Sequence, residues 1–464
     1  MGAKINPNNL SSDLHDVSII RDAGLCMGCG ICEGICPVEG AIQVVIDQHR
    51  QEYLPVVNYD VCTHCGHCLV VCPGDKVDFI QLEKEFLHGP EKDDRFGVYR
   101  KCYIGLATSN EIRKNSTSGG AVTALLIYAL EKGIIDGALV LGMSDTNPLE
   151  TKPFIARTPE EVISASGSKY CPSAIDTGLK DILHEQGRFA VVGLPCHIHA
   201  IRIWENHNPR LRTKLSEKLV LHLGLFCANN NTYLGTKYFL ANNNIAPGDV
   251  REIRYRGEGW PGKIVVTKKD GTKHVIRRGT TEKKWYRKAL FSSAFHYDFM
   301  LPRCLVCPDL TSELADVSFG DPWIREYIIT EKIGKSLMII RNEIGDQFIT
   351  DALEERIIEV EEVPSSLVRR AQNYSFKEGV GARINLQRAV GRTTPDYGDR
   401  KFTIKYRDYF SYLRYLPSFF SYHKWTWTLI RLIAIIHYAW RIFISRAKSL
   451  ARFTFRQFGL NRQL

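Results

Sequence analysis

The stretch CMGCGICEGICP (residues 26–37) and its echo CTHCGHCLVVCP (62–73) decide how this chain begins. Cys26, Cys29, Cys32 and Cys36 are followed by Pro37, and Cys62, Cys65, Cys68 and Cys72 by Pro73. Both read C-x2-C-x2-C-x3-C-P, and each position of the second lies 36 residues after its counterpart. This is the ligand spacing of a two-cluster bacterial ferredoxin. A loop this tight brings three thiolates onto one 4Fe-4S cluster, and the fourth cysteine crosses to the other. The expected sets are Cys26, Cys29 and Cys32 with Cys72, and Cys62, Cys65 and Cys68 with Cys36. Soft thiolates select iron–sulfur clusters. Zinc favours two separated C-x2-C pairs, which three cysteines in one short loop do not supply. His64 and His67 lie inside the second loop; with the cysteine set complete, they are expected to face solvent. Such a chain is expected to move electrons.

Around this repeat the composition is that of a globular protein. The 464 residues suffice for two or three domains, with 44% hydrophobic and 24% charged residues. MGAKINPNNLSSDLHD at the start carries no apolar stretch, and cluster cysteines must stay reduced, so the cytoplasm is the expected compartment. The net charge of +10 is unevenly placed: residues 400–464 hold 13 Lys and Arg against one acid, Asp408, and the rest is close to neutral.

The expected fold class is α/β, α+β overall. Residues 1–14 read as a flexible arm and 15–82 as the two-cluster ferredoxin domain. LEKEFLHGPEKDDRFG, with Gly89-Pro90 at its centre, makes 83–98 a linker. From 99 to 345 short apolar strands (GALVLGM, RFAVVGLPC, LVLHLGLFC) alternate with helical segments (TSGGAVTALLIYALEKG, TGLKDILHEQG), which predicts α/β units and a partly parallel sheet. Residues 250–280 read instead as a β-meander with a turn at Asp270-Gly271. A helical or loop extension (346–399) and a helical basic tail (400–464) follow.

Six cysteines remain. Cys196, Cys227, Cys304 and Cys307 fall where strands or loops end, the place where sheet proteins put ligands. They could form a third 4Fe-4S site, a zinc site, or simply small buried hydrophobes. TSGG at 117–120 opens a helix and would let a phosphate approach its free N–H groups, though it is also an ordinary helix start. No G-x-G-x-x-G follows a strand, so a nicotinamide domain of Rossmann type is not supported.

Taken together, TSGG (117–120), SGSKYCPS (166–173), VVGLPCHIHAIR (191–202), GLFC (224–227), GWPG (259–262) and PRCLVCPDLTSELADVSFGDPW (302–323) resemble, in order and spacing, the coenzyme F420 hydrogenase/dehydrogenase beta-subunit family. With the ferredoxin repeat in front, the resemblance spans roughly residues 20–345. It implies an FAD-containing iron–sulfur oxidoreductase in which flavin exchanges a hydride with a diffusible partner and single electrons with clusters. By the same resemblance Cys196, Cys227, Cys304 and Cys307 match cluster ligands, giving a third 4Fe-4S cluster. Cys171 lies in the flavin region and is not counted as a ligand; Cys102 is read as structural. Ser118, Gly119, Gly120, Lys169 and Tyr170 are the candidate flavin contacts, and a lysine at the flavin edge would stabilise the reduced, anionic ring. No residue is singled out as catalytic. Asp316 and Asp321 read either as loop-shaping or as cofactor contacts. Arg254, Arg256, Lys263, Arg277 and Arg278 form either a solvated strand face or an attraction for the acidic tail of F420.

In the tail, Leu429, Leu432, Ile436, Ala439, Phe443, Ala447 and Leu450 recur at helical spacing, with Lys424, Arg431, His437, Arg441, Lys448 and Arg452 on the other side and Trp425 and Trp440 towards the apolar face. This predicts a basic amphipathic helix on an anionic membrane surface or a partner subunit. Spanning the bilayer would place Arg431, His437 and Arg441 within it. No motif that reads nucleic acid accompanies the charge. The expected function is transfer of electrons between a hydride partner at FAD, F420 foremost, and 4Fe-4S clusters, with a redox partner protein or ferredoxin at the other end. The alternatives are a ferredoxin-dependent reductase of an organic substrate, for example in surface-polysaccharide biosynthesis, and a carrier subunit without flavin.

Overall fold

The computed structural model describes residues 15–207, 215–279 and 281–457. The arm expected at 1–14 lies outside them. In the ferredoxin repeat, strands β1 (Ile42–Ile46) and β2 (Tyr53–Val57) form an antiparallel hairpin between the two cysteine loops.

The segment expected as a linker is packed structure. The helix Phe79–Phe86 runs into it, and β3 (Glu91–Asp93) and β4 (Gly97–Tyr99) pair as a hairpin that holds Phe96 fully buried. An aromatic side chain of that size drives the segment onto the body despite its six charged neighbours between Glu91 and Arg100.

The centre is a mixed eight-stranded sheet. Its strands are β5 (Lys101–Ala107), β6 (Gly137–Met143), β7 (Thr151–Ala156), β8 (Phe189–Gly193), β9 (Leu219–Leu225), β13 (Val317–Gly320), β14 (Ser336–Ile340) and β15 (Ile358–Glu362). Spatially they run β15-β5-β14-β13-β9-β8-β6-β7. β13, β9, β8 and β6 are parallel; antiparallel strands flank them on both sides. Every residue of β14 is buried, the near-continuous apolar run of a strand covered on both faces. The sheet extends beyond residue 345, because β15 supplies its edge from within the segment expected to be helix and loop.

On one face lies the helix Ala121–Glu131, entered through Gly120 at φ +79° and closed by Gly133 at φ +63°, conformations that favour glycine. On the other face, one cluster of buried side chains continues from Ile31 and Val71 of the ferredoxin module to Leu139, Ile175, Phe189 and Val306 of the sheet domain. The two regions therefore share a core. The meander β10 (Val250–Gly257), β11 (Lys263–Lys268) and β12 (Lys273–Arg277) forms its own antiparallel sheet, turning at Gly271 with φ +86°.

The tail forms the long helix Trp427–Gln457. Ile430 and Ala434 are buried, whereas Leu429, Leu432, Ile436, Trp440 and Phe443 are exposed. The apolar stripe thus points outward, and the helix rests on the body with a second face.

Candidate functional site

The cysteines gather in three groups. Cys26, Cys29, Cys32 and Cys72 line one hollow, and Cys36, Cys62, Cys65 and Cys68 another, so each quartet surrounds space instead of packing thiol on thiol. Gly30 makes the first loop possible. It sits at φ +96°, and a Cβ there would stand 2.6 Å from the Thr177 methyl. Burial pushes the Cys26 thiol up to about 12 and the Cys72 thiol up to about 11, and holds Cys29 and Cys32 well above the usual range. Neighbouring thiols add to the rise for Cys26, Cys29 and Cys32. Sulfur crowded and desolvated in this way calls for a bound cationic centre before it can carry charge.

The second quartet is closer to solvent: Cys65 is exposed, and Cys36 and Cys62 are partly so. His64 and His67 are both exposed, and His64 stacks on Tyr59 at 6.0 Å.

The third group forms at the carboxyl ends of adjacent parallel strands. Cys196 opens the helix Pro195–His207 just after β8, and Cys227 follows β9, its N–H bonded to the Leu310 carbonyl at 2.7 Å. Cys304 and Cys307 come from the turn at 302–307. Burial drives the Cys196 thiol well up, and Cys227, Cys307 and Cys304 push it further, which puts the four within one another's field. The Asn230 N–H donates to Cys304 Sγ at 3.3 Å. Burial raises Cys227 and Cys304 too, opposed in both by the buried Lys377 ammonium. Among the described residues no three His, Cys, Asp or Glu side chains converge as a single-ion site.

The five residues expected to contact flavin divide. Ser118 donates its hydroxyl to the Lys335 carbonyl at 2.5 Å, and the Gly119 N–H donates to Ser336 Oγ at 3.1 Å. Both donors are engaged with the strand edge, so the corner at 117–120 offers a phosphate less than its sequence promises. Lys169 lies beside it: Thr117 and Ser168 hydroxyls meet at 3.0 Å, and Lys169 Nζ donates to the carbonyls of Ala165 (2.6 Å) and Gly167 (3.0 Å). Burial lowers this ammonium to about 8, and among the described residues no carboxylate pairs with it. Tyr170 accepts at its hydroxyl from Arg278 Nη2 at 2.7 Å and packs against Tyr255 and Phe295.

The basic set on the meander also splits. Arg254 and Arg277 are exposed and Lys263 partly so, but Arg256 and Arg278 are buried. Arg256 forms a two-pronged pair with Asp321 at 2.7 and 2.8 Å, and the Trp260 indole donates to the same carboxylate. Arg278 has no carboxylate hydrogen-bonded to it and lies over the rings of Tyr170, Phe291 and Trp323. Asp316 is a structural anion. It accepts from Arg202 and Asn342, both at 2.6 Å, and from the His222 N–H at 2.7 Å. Despite burial, these partners hold its carboxyl below the ordinary range. Cys102 is buried within β5, and Cys171 is buried near Tyr255.

Sequence reasoning missed two buried cations near the third group, Arg303 and Lys377. Arg303 had a signal, since it adjoins Cys304. Lys377 had none, because it comes from a remote segment.

Residues 102–180 and 186–366 match the family models for the N-terminal and C-terminal parts of the coenzyme F420 hydrogenase/dehydrogenase beta subunit. Residues 25–76 match the 4Fe-4S dicluster domain. An uncharacterized protein of Methanocaldococcus jannaschii is 30% identical over 72% of this chain and 88% of its own length. The coenzyme F420 hydrogenase subunit beta of Methanosarcina barkeri is 29% identical over 60% of this chain and 87% of its own. The solved F420-reducing NiFe hydrogenase complex of M. barkeri contains a chain that superposes with a TM-score of 0.52 at 25% identity, over 67% of this chain and 100% of that one.

Proposed function

This chain belongs to the coenzyme F420 hydrogenase/dehydrogenase beta-subunit family of oxidoreductases, with a 4Fe-4S dicluster domain in front, and on that premise we propose that it passes electrons between F420, met at a bound FAD, and 4Fe-4S clusters. The carrying observation is that Cys196 and Cys227, at the carboxyl ends of β8 and β9, share one field with Cys304 and Cys307 of the 302–307 turn, beside the core that also holds Cys29, Cys32 and Cys72. These four would hold a third cluster, and the two N-terminal quartets one each. A flavin converts hydride transfer into single-electron transfer, which is the exchange such an arrangement requires.

The chain's own residues prepare that site. Lys169 supplies a desolvated ammonium without a counter-ion, suited to the anionic edge of a reduced flavin. Tyr170, the next residue, accepts from the buried Arg278 guanidinium, which has no carboxylate hydrogen-bonded to it among the described residues. Arg303 and Lys377 place positive charge beside the third quartet, where thiolate charge would accumulate. A redox partner protein or ferredoxin meets the chain at the second quartet, the one nearest solvent.

The tail adds a location: the cytoplasm, peripheral on a membrane face. Of the 23 large apolar side chains exposed among the described residues, 12 lie between Ile404 and Phe443, a density that marks a docking surface. Lys424–Ile444 is long and apolar enough to cross a bilayer. Burial of Ile430 and Ala434 against the body favours a helix lying flat, its outward stripe in the lipid boundary and the tail's basic residues at the headgroups.

Anaerobic purification followed by addition of reduced F420 tests the enzymatic reading. Bound flavin that bleaches together with the cluster absorbance is the expected result. A chain without flavin, or one that bleaches only with reduced ferredoxin, would overturn F420 as the hydride partner.

A further inference from the structure

Arg303 is among the largest fully buried side chains of the protein, 2% exposed. Its Nη2 donates to the main-chain carbonyl of Pro73 at 2.8 Å. Pro73 directly follows Cys72, the crossing ligand of the first ferredoxin quartet. On its other side Arg303 adjoins Cys304 in the turn that carries the third quartet. The remaining nitrogens, Nε and Nη1, are buried; the acceptor beside the guanidinium is the Tyr397 hydroxyl, which donates its own proton to the Val306 carbonyl at 2.6 Å. The nearest aromatic is Tyr397, whose ring centroid lies 5.6 Å from the guanidinium carbon.

An arginine this deep normally has a carboxylate or a full set of carbonyls around it, because each unmet buried donor costs stability. Among the described residues no carboxylate pairs with it. Its guanidinium instead stands between the carbonyl that follows Cys72 and the turn that carries Cys304 and Cys307.

We propose that Arg303 is a positioning residue shared by the two cysteine sites between which it stands. The N–H groups on its Nε and Nη1 and its fixed charge serve sulfur held by Cys72 on one side and by Cys304 and Cys307 on the other. The inference rests on the reading that both sites hold clusters. Hydrogen bonds to sulfur and nearby positive charge raise the reduction potential of such centres. Adding one electron to either site adds one negative charge, and the guanidinium stabilises it without gaining or losing a proton. A residue that only braces the 302–307 turn against Pro73 would affect folding but not potentials.

The test uses the full chain, purified anaerobically, with Arg303→Met and Arg303→Lys. Iron and acid-labile sulfide are measured first, and potentials then by spectroscopic redox titration. In Arg303→Met two of three cluster signals are expected to become about tenfold harder to reduce, roughly 59 mV for a one-electron couple. The third signal, from Cys36, Cys62, Cys65 and Cys68, stays in place as an internal control. Arg303→Lys keeps the charge and gives a smaller shift of the same two signals; it also serves should the methionine variant not fold. Wild-type potentials at full iron content in the variants would overturn the proposal while leaving the three-cluster reading intact. A wild-type chain with iron for only two clusters would remove that reading, and the proposal with it.

Discussion

The main-chain N–H of Asp176 donates to the carbonyl of Cys29 at 2.9 Å. One residue belongs to the α/β domain and the other to the first ferredoxin quartet, so the cysteine loop is pinned to the sheet domain by a backbone bond. Gly34 allows this closeness: a Cβ there would stand 2.1 Å from the Asp176 carbonyl oxygen. The ferredoxin module is therefore a fixed part of the body.

That seating makes the crossing of cysteines testable. Cys72→Ser and Cys36→Ser are each expected to remove a different cluster, lowering iron and sulfide by about a third while leaving the other two signals. Cys72→Ser should abolish one of the two signals that shift in Arg303→Met, and Cys36→Ser the one that does not. Loss of the same signal in both variants would contradict the grouping.

Lys169 gives a pH dependence with a definite sign. Burial lowers its ammonium to about 8 in the folded chain, whereas an unfolded lysine titrates near ~10.4. Between those values the unfolded state binds more protons, so stability rises with pH across that window. Below about pH 8 the buried charge costs stability, on the order of 2 kcal/mol after allowing for this side chain's partial contact with solvent. Denaturant titrations of flavin-free protein should show the rise, and Lys169→Met should flatten it. If a reduced flavin uses the ammonium, its retention should weaken above pH 8.

Gly119→Ala probes the corner before the first sheet helix. The added Cβ would lie 2.5 Å from the Ser336 amide and 2.6 Å from the Gly105 carbonyl, both backbone atoms in neighbouring strands. Neither yields without moving β5 or β14, so a loss of about 1–3 kcal/mol is expected. A thermal melt reads it, and an unchanged midpoint would mean the strands move freely there.

The tail prediction concerns Ile436 and Trp440, both exposed. Ile436→Glu with Trp440→Glu should reduce flotation with anionic vesicles by at least about tenfold, since burying one such side chain is worth about 1.5–3 kcal/mol. Binding of the wild-type chain should weaken with salt through screening of the basic residues. Equal flotation of variant and wild type would exclude the stripe as the contact.

What could be read from the residues follows the range of the forces involved. The C-x2-C-x2-C-x3-C-P loops are local, and their spacing implies ligand geometry without knowledge of the fold. The meander was legible for the same reason, with Asp270-Gly271 at its turn. The linker and the extension were not: Phe96 and β15 acquire their places from partners far along the chain, Leu310 and β5 among them. The basic residues of the meander looked alike in sequence, yet Arg256 and Arg278 turn inward because Asp321 and Tyr170 arrive from elsewhere. The helical period of the tail was plain, but which face the body would claim depended on tertiary packing.

Cys65 is exposed, whereas Cys29, Cys32 and Cys72 are buried. Dioxygen approaches from solvent, and exposed thiolates are the first to be oxidised. Brief contact with air should therefore dismantle the centre held at Cys36, Cys62, Cys65 and Cys68 before the one next to Arg303. On the proposed route, the injured chain would still hold charge inside while having lost the contact proposed for its protein partner, a failure that would isolate it electrically before destroying it.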